Sequence, residues 1–596
     1  MKTMLILCRE HERDSVTEIP SPKPSRFLNL AMNSGLCLVF LFWGLGELPF
    51  FSRGEPREGL VVWEMHASGN WILPAVNGEY IPFKPPLFHW FAAMAGHIFG
   101  RIDEFTLRLP SAVFAALGVL MTYFAAARLW GERAGLIAGI VLVTNAQWWQ
   151  AGTDTQVDMT LAFFITAACL YFYFLYEQRN FGLVKCLGLP FLLGLATLSK
   201  GPIGFAVPCL VFLIFLGLRH DFAFVRKLHP FASAAVFLLV AGSWYGLALW
   251  QGGPAFFFRQ IVDENFRTAA GTYGHYQPIY YYLPIFLENT LPWSFFFPAV
   301  ALFIYQRRDQ LSDEKLLFPV VWFVAVLVFF TVSLGKRGVY ILPLYPAIAL
   351  LFGAWWQRLE EHRAPPHGLA RAIGFFVAAF CLIALIALFS YFAAANGLVG
   401  RRLVSFITRL KGLAAILHTL TPPSPLVLAC LALYAGALSW LTGALVKHNW
   451  RRAFTSLCLI TLAFTIIMKS AVFPPIVFER TLKPFMLRVN EKIDAKLPLL
   501  FYRAFDFGAV FYAHRHIPSY AANADELKPP FFLLMWEEDW QRLAGRDELK
   551  MLDISEGRGP AGRHRLVLAE YQSLSTSASK PLPVDHLGNS VDNYSD

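Results

Sequence analysis

Apolar runs of membrane-crossing length recur along most of this chain, and that leaves few folds open to it. A span needs about 20 apolar residues, and lipid offers no partner to unpaired backbone, so each run has to be helical. Measured against that length, the sequence holds about thirteen runs: 29–50, 109–128, 135–151, 159–177, 187–199, 203–218, 229–250, 282–304, 317–333, 339–356, 372–394, 425–446 and 453–472. With 56% hydrophobic and 15% charged residues and a mean hydropathy of +0.47, the chain is a polytopic membrane protein rather than a soluble one. The net charge of +10 does not indicate a nucleic-acid partner. Lys and Arg gather in short connections, such as Arg128 with Arg133, Arg219 with Arg226 and Lys227, and Lys447 with Arg451 and Arg452. The positive-inside rule places such connections in the cytoplasm. Residues 1–28 carry Lys2, Arg9, Arg13, Lys23 and Arg26 with no cleavable signal pattern, which predicts a cytoplasmic N-terminus. An odd number of spans then puts the C-terminus outside.

Four cations break this pattern. Lys84, Lys200, Lys336 and Arg337 fall on the outer side, and Gly or Pro stands beside them in Lys84-Pro85-Pro86, Lys200-Gly201-Pro202 and Gly335-Lys336-Arg337-Gly338. A single such cation reads as a snorkelling anchor. Four beside broken helices on one face read as an anion site, and phosphate is the anion that suits clustered Lys and Arg. The external loop 51–108 opens with a charged, aromatic stretch carrying Arg53, Glu55, Arg57, Glu58 and Glu64 among Trp63, Trp71 and Tyr80. Pro56 predicts a short interfacial helix ending near Gly69, with Glu55 at its N-cap. Between the third and fourth runs, Asp154 and Asp158 are spaced i, i+4 and are expected to share one helix face at the outer boundary.

Two further external loops follow. Residues 251–281 hold Asp263, Glu264, Arg267, His275 and a tyrosine cluster, and 395–424 reads as an amphipathic interfacial helix. Residues 473–572 alternate strand-like runs (LPLLFYRAF, PFFLLMWEE, RHRLVLAEY) with a helix-like one (RTLKPFMLRVNEKI) and predict a small extracytoplasmic α/β domain. The Ser-rich 573–596 reads as a disordered tail. The six cysteines within apolar runs, with Cys8 and Cys186 on the cytoplasmic side, indicate no disulfide framework. There is no HExxH, CxxC, GxSxG or nucleotide-binding loop.

Clustered cations, carboxylates at Glu55 and Asp158, and broken helices on one face are what a lipid-linked phosphate donor needs. The cations stabilise phosphate as it leaves, and a carboxylate activates an acceptor hydroxyl or stabilises an oxocarbenium-like centre. A secondary transporter or lipid flippase is the alternative of another class, and it requires repeat symmetry and ionisable groups near the bilayer midplane.

The stretches GEPREGLVVWEMHASGNWILPAVNGEYIPFKPPLFHW, TQVDMTLAFFITAACL, TLSKGPIGFAVP, QPIYYYLPIFLENTLPW and GKRGVYILPLYPAIALL, in order from about Gly44 to Gly353, resemble successive motifs of a known family. This is the bacterial polyprenyl-phosphate-dependent GT-C glycosyltransferases, which include the lipid A aminoarabinose transferases and relatives of the protein O-mannosyltransferases. The resemblance implies an all-α GT-C transmembrane domain over 29–472 with a small external α/β domain behind it. It also implies transfer of a sugar, with inversion, from undecaprenyl phosphate or a similar lipid. The acceptor would be lipid A, another glycan or a protein on the periplasmic side of the inner membrane. The narrower alternative is the lipid A 4-amino-4-deoxy-L-arabinose transferase itself.

Residue by residue, Glu55 matches the acidic member of the family's Asp-Glu pair, with Gly54 in place of the Asp. Asp158 matches the Asp of a Leu-Asp-Met pattern, and both are implied to be catalytic. Arg57, Lys84, Lys200, Lys336 and Arg337 match substrate-side basic positions, and Tyr345 matches the aromatic of a Leu-Pro-Leu-Tyr-Pro motif. Where many members have Glu before the Lys-Pro pair, this chain has Phe83, so that contact does not carry over and participation of a divalent metal stays open.

Overall fold

The computed structural model describes residues 26–572, apart from 79–80, 83, 268–275, 308–312, 362–366, 396–422, 524–526, 528, 544 and 561–563, together with 582. The expected interfacial helix over 395–424, His275, Cys8, Phe83 and the Ser-rich tail fall wholly or mainly outside the described residues.

Among the described residues, nine helices are long and apolar enough to cross a membrane. A tenth forms if Ile279–Asn289 and Trp293–Gln306, bent by 110° at their junction, count as one span. Three shorter apolar helices accompany them: Arg26–Phe42, Leu87–Phe99 and Ile203–Leu218. The protein is a multi-pass membrane protein with a helical membrane domain.

The count of about thirteen uniform runs is corrected in three places, each for a local reason. The run 135–151 divides into Glu132–Val143 and Ala146–Thr153 because the Asn145 side chain accepts the Trp148 N–H and caps a new helix. The run 282–304 bends where Thr290 to Pro292 interrupts it. Leu87–Phe99, inside the expected external loop, is itself an apolar helix with Leu87, Phe88, Ala92 and Ala93 buried.

The small domain carries a four-stranded sheet: β1 (Leu499–Phe501), β2 (Phe531–Trp536), β3 (Leu549–Ile554) and β4 (Leu566–Tyr571), in the order β1-β2-β4-β3. β1 and β2 are parallel, and β4 runs antiparallel to both β2 and β3. The strand-like runs of the sequence correspond to β1, β2 and β4. β3 was not anticipated, since LKMLDI exposes Lys550 and Met551 and lacks a clean alternation.

Strand periodicity sorts the side chains onto two faces. Phe532, Leu534, Leu566 and Leu568 join one core, while Phe531, Leu533, Met535, Val567 and Ala569 join another. The first core is shared with the loop that follows the first helix. Phe50, Leu60, Val61, Met65 and Leu107 pack with Phe485, Val510, Phe511 and Tyr512. Polar contacts reinforce it. Tyr512 Oη accepts the Phe50 N–H at 2.9 Å and donates to Glu104 at 2.9 Å, and Lys483 reaches the same carboxylate at 2.7 Å. Asn77 and Ile517 exchange two hydrogen bonds, and His516 lies 2.8 Å from Glu64. The small domain is thus clamped onto the loop that holds the candidate site.

Candidate active site

The helix Gly54–Ser68 organises the site. It ends at Gly69, whose φ of +70° is a left-handed C-cap that glycine adopts without a Cβ penalty. Its N-cap is Arg53 rather than Glu55, so Glu55 lies in the first turn and its N–H is taken by Ser52 Oγ at 3.3 Å. The Glu55 carboxylate is fully buried. Both its oxygens bind Arg108, at 2.8 and 3.0 Å, and it also accepts the Thr155 N–H at 3.1 Å. Arg108 in turn donates to the carbonyls of Leu45 and Leu48. Glu55 is therefore the centre of a closed network joining three stretches of chain.

One turn further on, Arg57 binds Glu58 at 2.8 and 3.1 Å, and Glu58 Oε2 lies 2.8 Å from His89 Nε2. Burial pushes the Glu58 carboxyl up, but Arg57 and His89 together outweigh it and leave it below the usual range. Arg57 is held charged against the same burial, chiefly by Glu58, with Glu264 and Asp158 adding to the field.

Those two acids belong to a cavity of about 610 Å³. Lys84 Nζ donates to Glu264 there, and Lys200 Nζ donates to Asp158. Lys200 also lies 4.3 Å from the centre of the Tyr340 ring, a cation–π contact. Leu161, Ile203, Ala206, Phe329, Phe330, Val332 and Val339 make the rest of the wall apolar. Asp158 and Lys200 meet there because one helix starts where another stops. Asp158 opens the helix Val157–Gln178, and Lys200 closes Leu183–Lys200. At Gly204 an added Cβ would meet the Ala196 backbone at 2.2 Å, so the return turn after Lys200 requires glycine. A charged head and an apolar wall in one cavity suit an amphiphile with an anionic headgroup.

The structure does not bring every sequence candidate together. Lys336 is buried and donates to the Gln277 carbonyl at 3.1 Å, away from the cavity wall to which its neighbour Gly335 contributes. Arg337 is exposed, with its carbonyl accepting from Tyr282. Tyr345 is buried and stacked on Phe286, off the cavity. Asp154 and Asp158 do not share a helix face, which corrects the i, i+4 expectation. Asp154 is the extended C-cap of Ala146–Thr153 (φ −105°, ψ 156°), and the break through Gln156 precedes Val157. Asp154 instead lines a second cavity of about 700 Å³ with Arg108, Lys469, Trp43 and Trp149. Burial, then the Glu55 charge, pushes its carboxyl well above the usual range, against Arg108.

Glu264, Tyr340, Glu58, His89 and Arg108 were missed as site residues. For Arg108 the signal was present: a cation abutting an apolar run in the expected external loop, the same criterion that selected Lys84. Among the described residues no three His, Cys, Asp or Glu side chains gather into a metal-binding group.

A family model described as dolichyl-phosphate-mannose-protein mannosyltransferase matches residues 83–245. An uncharacterised protein of Aquifex aeolicus is 30% identical over 326 residues, 54% of this chain and 72% of that one. The undecaprenyl phosphate-alpha-4-amino-4-deoxy-L-arabinose arabinosyl transferase of Aeromonas hydrophila is 29% identical over 328 residues, 54% of this chain and 59% of that enzyme. The match therefore spans less than two thirds of the arabinosyl transferase. The fold resembles the crystal structure of ArnT from Cupriavidus metallidurans bound to undecaprenyl phosphate, with a TM-score of 0.72 at 19% identity over 92% of this chain and 99% of that one. This chain belongs to the GT-C family of polyprenyl-phosphate glycosyltransferases. That membership displaces the transporter reading of its embedded charges.

Proposed function

We propose that this protein transfers a sugar from a polyprenyl phosphate, with inversion, to an envelope acceptor at the periplasmic face of the bacterial inner membrane. The observation that carries the reading is the cavity in which Lys84 and Lys200, each paired with a carboxylate, head an apolar wall. The undecaprenyl phosphate held by the ArnT relative supports a lipid phosphate as the donor here. The outer-side position of Lys84 and Lys200, opposite the basic connections, supports a periplasmic site and a cytoplasmic N-terminus.

The ion pairs suggest how the donor is received. A phosphate entering between Lys84 and Lys200 takes over their ammonium groups, since charge-assisted bonds to a phosphate compete directly with those to Glu264 and Asp158. Asp158, released from Lys200, then faces the acceptor. The acceptor oxygen attacks the anomeric carbon, and the C1–O bond to phosphate breaks with its electron pair passing to the phosphate oxygen. Lys84, Lys200 and Arg57 stabilise that charge. A hydroxyl acceptor gives its proton to Asp158. An acceptor that is itself a phosphate needs no base, and Asp158 then orients it.

Glu55 acts in this reading as a positioning residue, holding the first turn that carries Arg57. The break at residues 154–156 sets Asp154 and Arg108 on the second cavity, which offers the acceptor an approach from the other side of that turn. Lys336, Arg337 and Tyr345 shape the turn behind Gly335 and Tyr340. The arabinosyl transferases among the relatives are also consistent with a narrower version, in which the sugar is 4-amino-4-deoxy-L-arabinose and the acceptor lipid A.

The test is mass spectrometry of lipids and envelope glycans from cells with and without the protein. A polyprenyl-phosphate sugar should accumulate while one acceptor loses that sugar. Restoring the gene as Lys84→Ala or Asp158→Asn should fall short of wild-type transfer by about 10²–10⁴-fold. Full transfer by both variants would overturn the assignment.

A further inference from the structure

A pocket of about 270 Å³, separate from both membrane-domain cavities, is lined by the small domain and by Arg53. Its place in the fold follows from the sheet. β1 runs parallel to β2, and β2 and β3 both run antiparallel to β4, so β1, β2 and β3 all point the same way. The pocket lies beyond their carboxyl ends. Arg503 and Phe505 follow β1, Trp536 ends β2, and Arg558 follows β3. In open α/β sheets the carboxyl ends of parallel strands are where ligands bind, because the loops diverge there and leave a crevice.

The lining has a definite chemistry. Arg503, Arg558 and Arg53, the last from the N-cap of the Gly54–Ser68 helix, bring three guanidinium groups to a space that also holds the carboxylates of Asp506 and Glu538. Arg503 adopts a left-handed backbone (φ +50°), a conformation rare outside glycine and found at binding sites where the surrounding fold enforces it. Trp536 supplies an indole surface, packed against His564 with ring centres 5.9 Å apart, and His564 is fixed by Glu538 at 3.0 Å. An aromatic face with flanking carboxylates suits a sugar ring and its hydroxyls, and a phosphate that exchanges for ion pairs such as Arg503–Asp539 gives the guanidinium groups a tetrahedral set of oxygens to bind. The volume falls just under the roughly 300–1,000 Å³ of ordinary ligand pockets, so it admits one ring and its substituents.

We propose that this pocket binds a single phosphorylated or otherwise anionic sugar residue, independently of the polyprenyl-phosphate cavity. The proposal does not rest on the transferase reading, since it follows from the lining of this pocket, which the small domain and Arg53 form together.

The test is calorimetry on the full chain in nanodiscs, with glucose 1-phosphate as the probe and glucose and inorganic phosphate as controls. Glucose 1-phosphate should bind about tenfold more tightly than either control, and Arg503→Gln/Arg558→Gln should weaken it about tenfold or more. Arg503 also lies 3.9 Å from Asp539, so the exposed Arg558→Gln alone guards against a folding artefact and should cost several-fold. Nanodiscs carrying a glycolipid with a phosphosugar headgroup separate two sources of one chemistry. Competition assigns the site to a lipid headgroup, and binding without competition assigns it to a soluble phosphosugar. No glucose 1-phosphate binding, or binding untouched by either variant, overturns the proposal.

Discussion

At the scale of single residues, what matters most is whether a charge is free to act. Glu55 has the position of a catalytic acid in the sequence, yet in the fold it is fully buried and both its oxygens accept from Arg108, with Oε1 also accepting from Thr155. A buried pair of this kind is costly to break and cheap to replace as a unit. Arg108→Met alone, leaving Glu55 buried without its cation, should cost about 3–5 kcal/mol, whereas Glu55→Leu with Arg108→Met should cost far less. A double-mutant cycle by thermal unfolding in detergent measures this. If the two single costs simply add, the pair is not the fastening described here and Glu55 returns as a candidate for direct contact with substrate. Lys84 and Lys200 were legible because the positive-inside rule, applied to the apolar runs, leaves them as cations that have to be explained. Glu264 was not, since an acid in an external loop needs no explanation until its partner is known.

At the scale of elements, runs were legible and breaks were not. Hydrophobicity over 20 residues survives a local error, while a break is decided by one cap, as at Asn145, or by one extended residue, as at Asp154. The error mattered because it separates Asp154 from Asp158 and assigns them to different cavities. A second cap carries a consequence of its own. Asp506 accepts the Ala509 N–H at 2.9 Å and is buried, and burial pushes its carboxyl from 3.8 up to about 6, against that bond and the nearby Arg53. The protonated form is the one the fold favours. Its contribution, about 3 kcal/mol, is complete below pH about 4 and is lost as pH rises through 6. Unfolding of the small domain should therefore move to lower temperature between pH 4 and 7. Asp506→Asn keeps the cap and should flatten that slope; an unchanged slope in the variant would show that Asp506 is not the group responsible.

At the scale of the whole molecule, the sequence indicates two domains but not that one shapes the other's site. The contacts that join them pair residues 50–107 with 482–568, and no local pattern reports a partner so far away in the chain. The helix Gly54–Ser68 buries Leu60, Val61 and Met65 against the small domain and carries Arg57 toward the cavity acids, so the small domain supports the loop that holds Arg57. Tyr512 is the narrowest point of that support. Tyr512→Phe keeps the ring against Phe50 and Phe511 and removes only the hydroxyl, leaving the Phe50 N–H without its partner and Glu104 with Lys483 alone. A buried group that loses its partner costs about 1–3 kcal/mol. If the loop and the domain are one cooperative unit, hydrogen exchange should rise together in 50–68 and 507–513 while the membrane helices stay protected. Transfer should then fall through kcat, because Arg57 is less well held, with polyprenyl-phosphate binding at Lys84 and Lys200 largely retained. Exchange that rises in 507–513 and leaves 50–68 unchanged would mean that the Glu55–Arg108 network holds the loop unaided, and the small domain would then bear on the reaction only through what it binds.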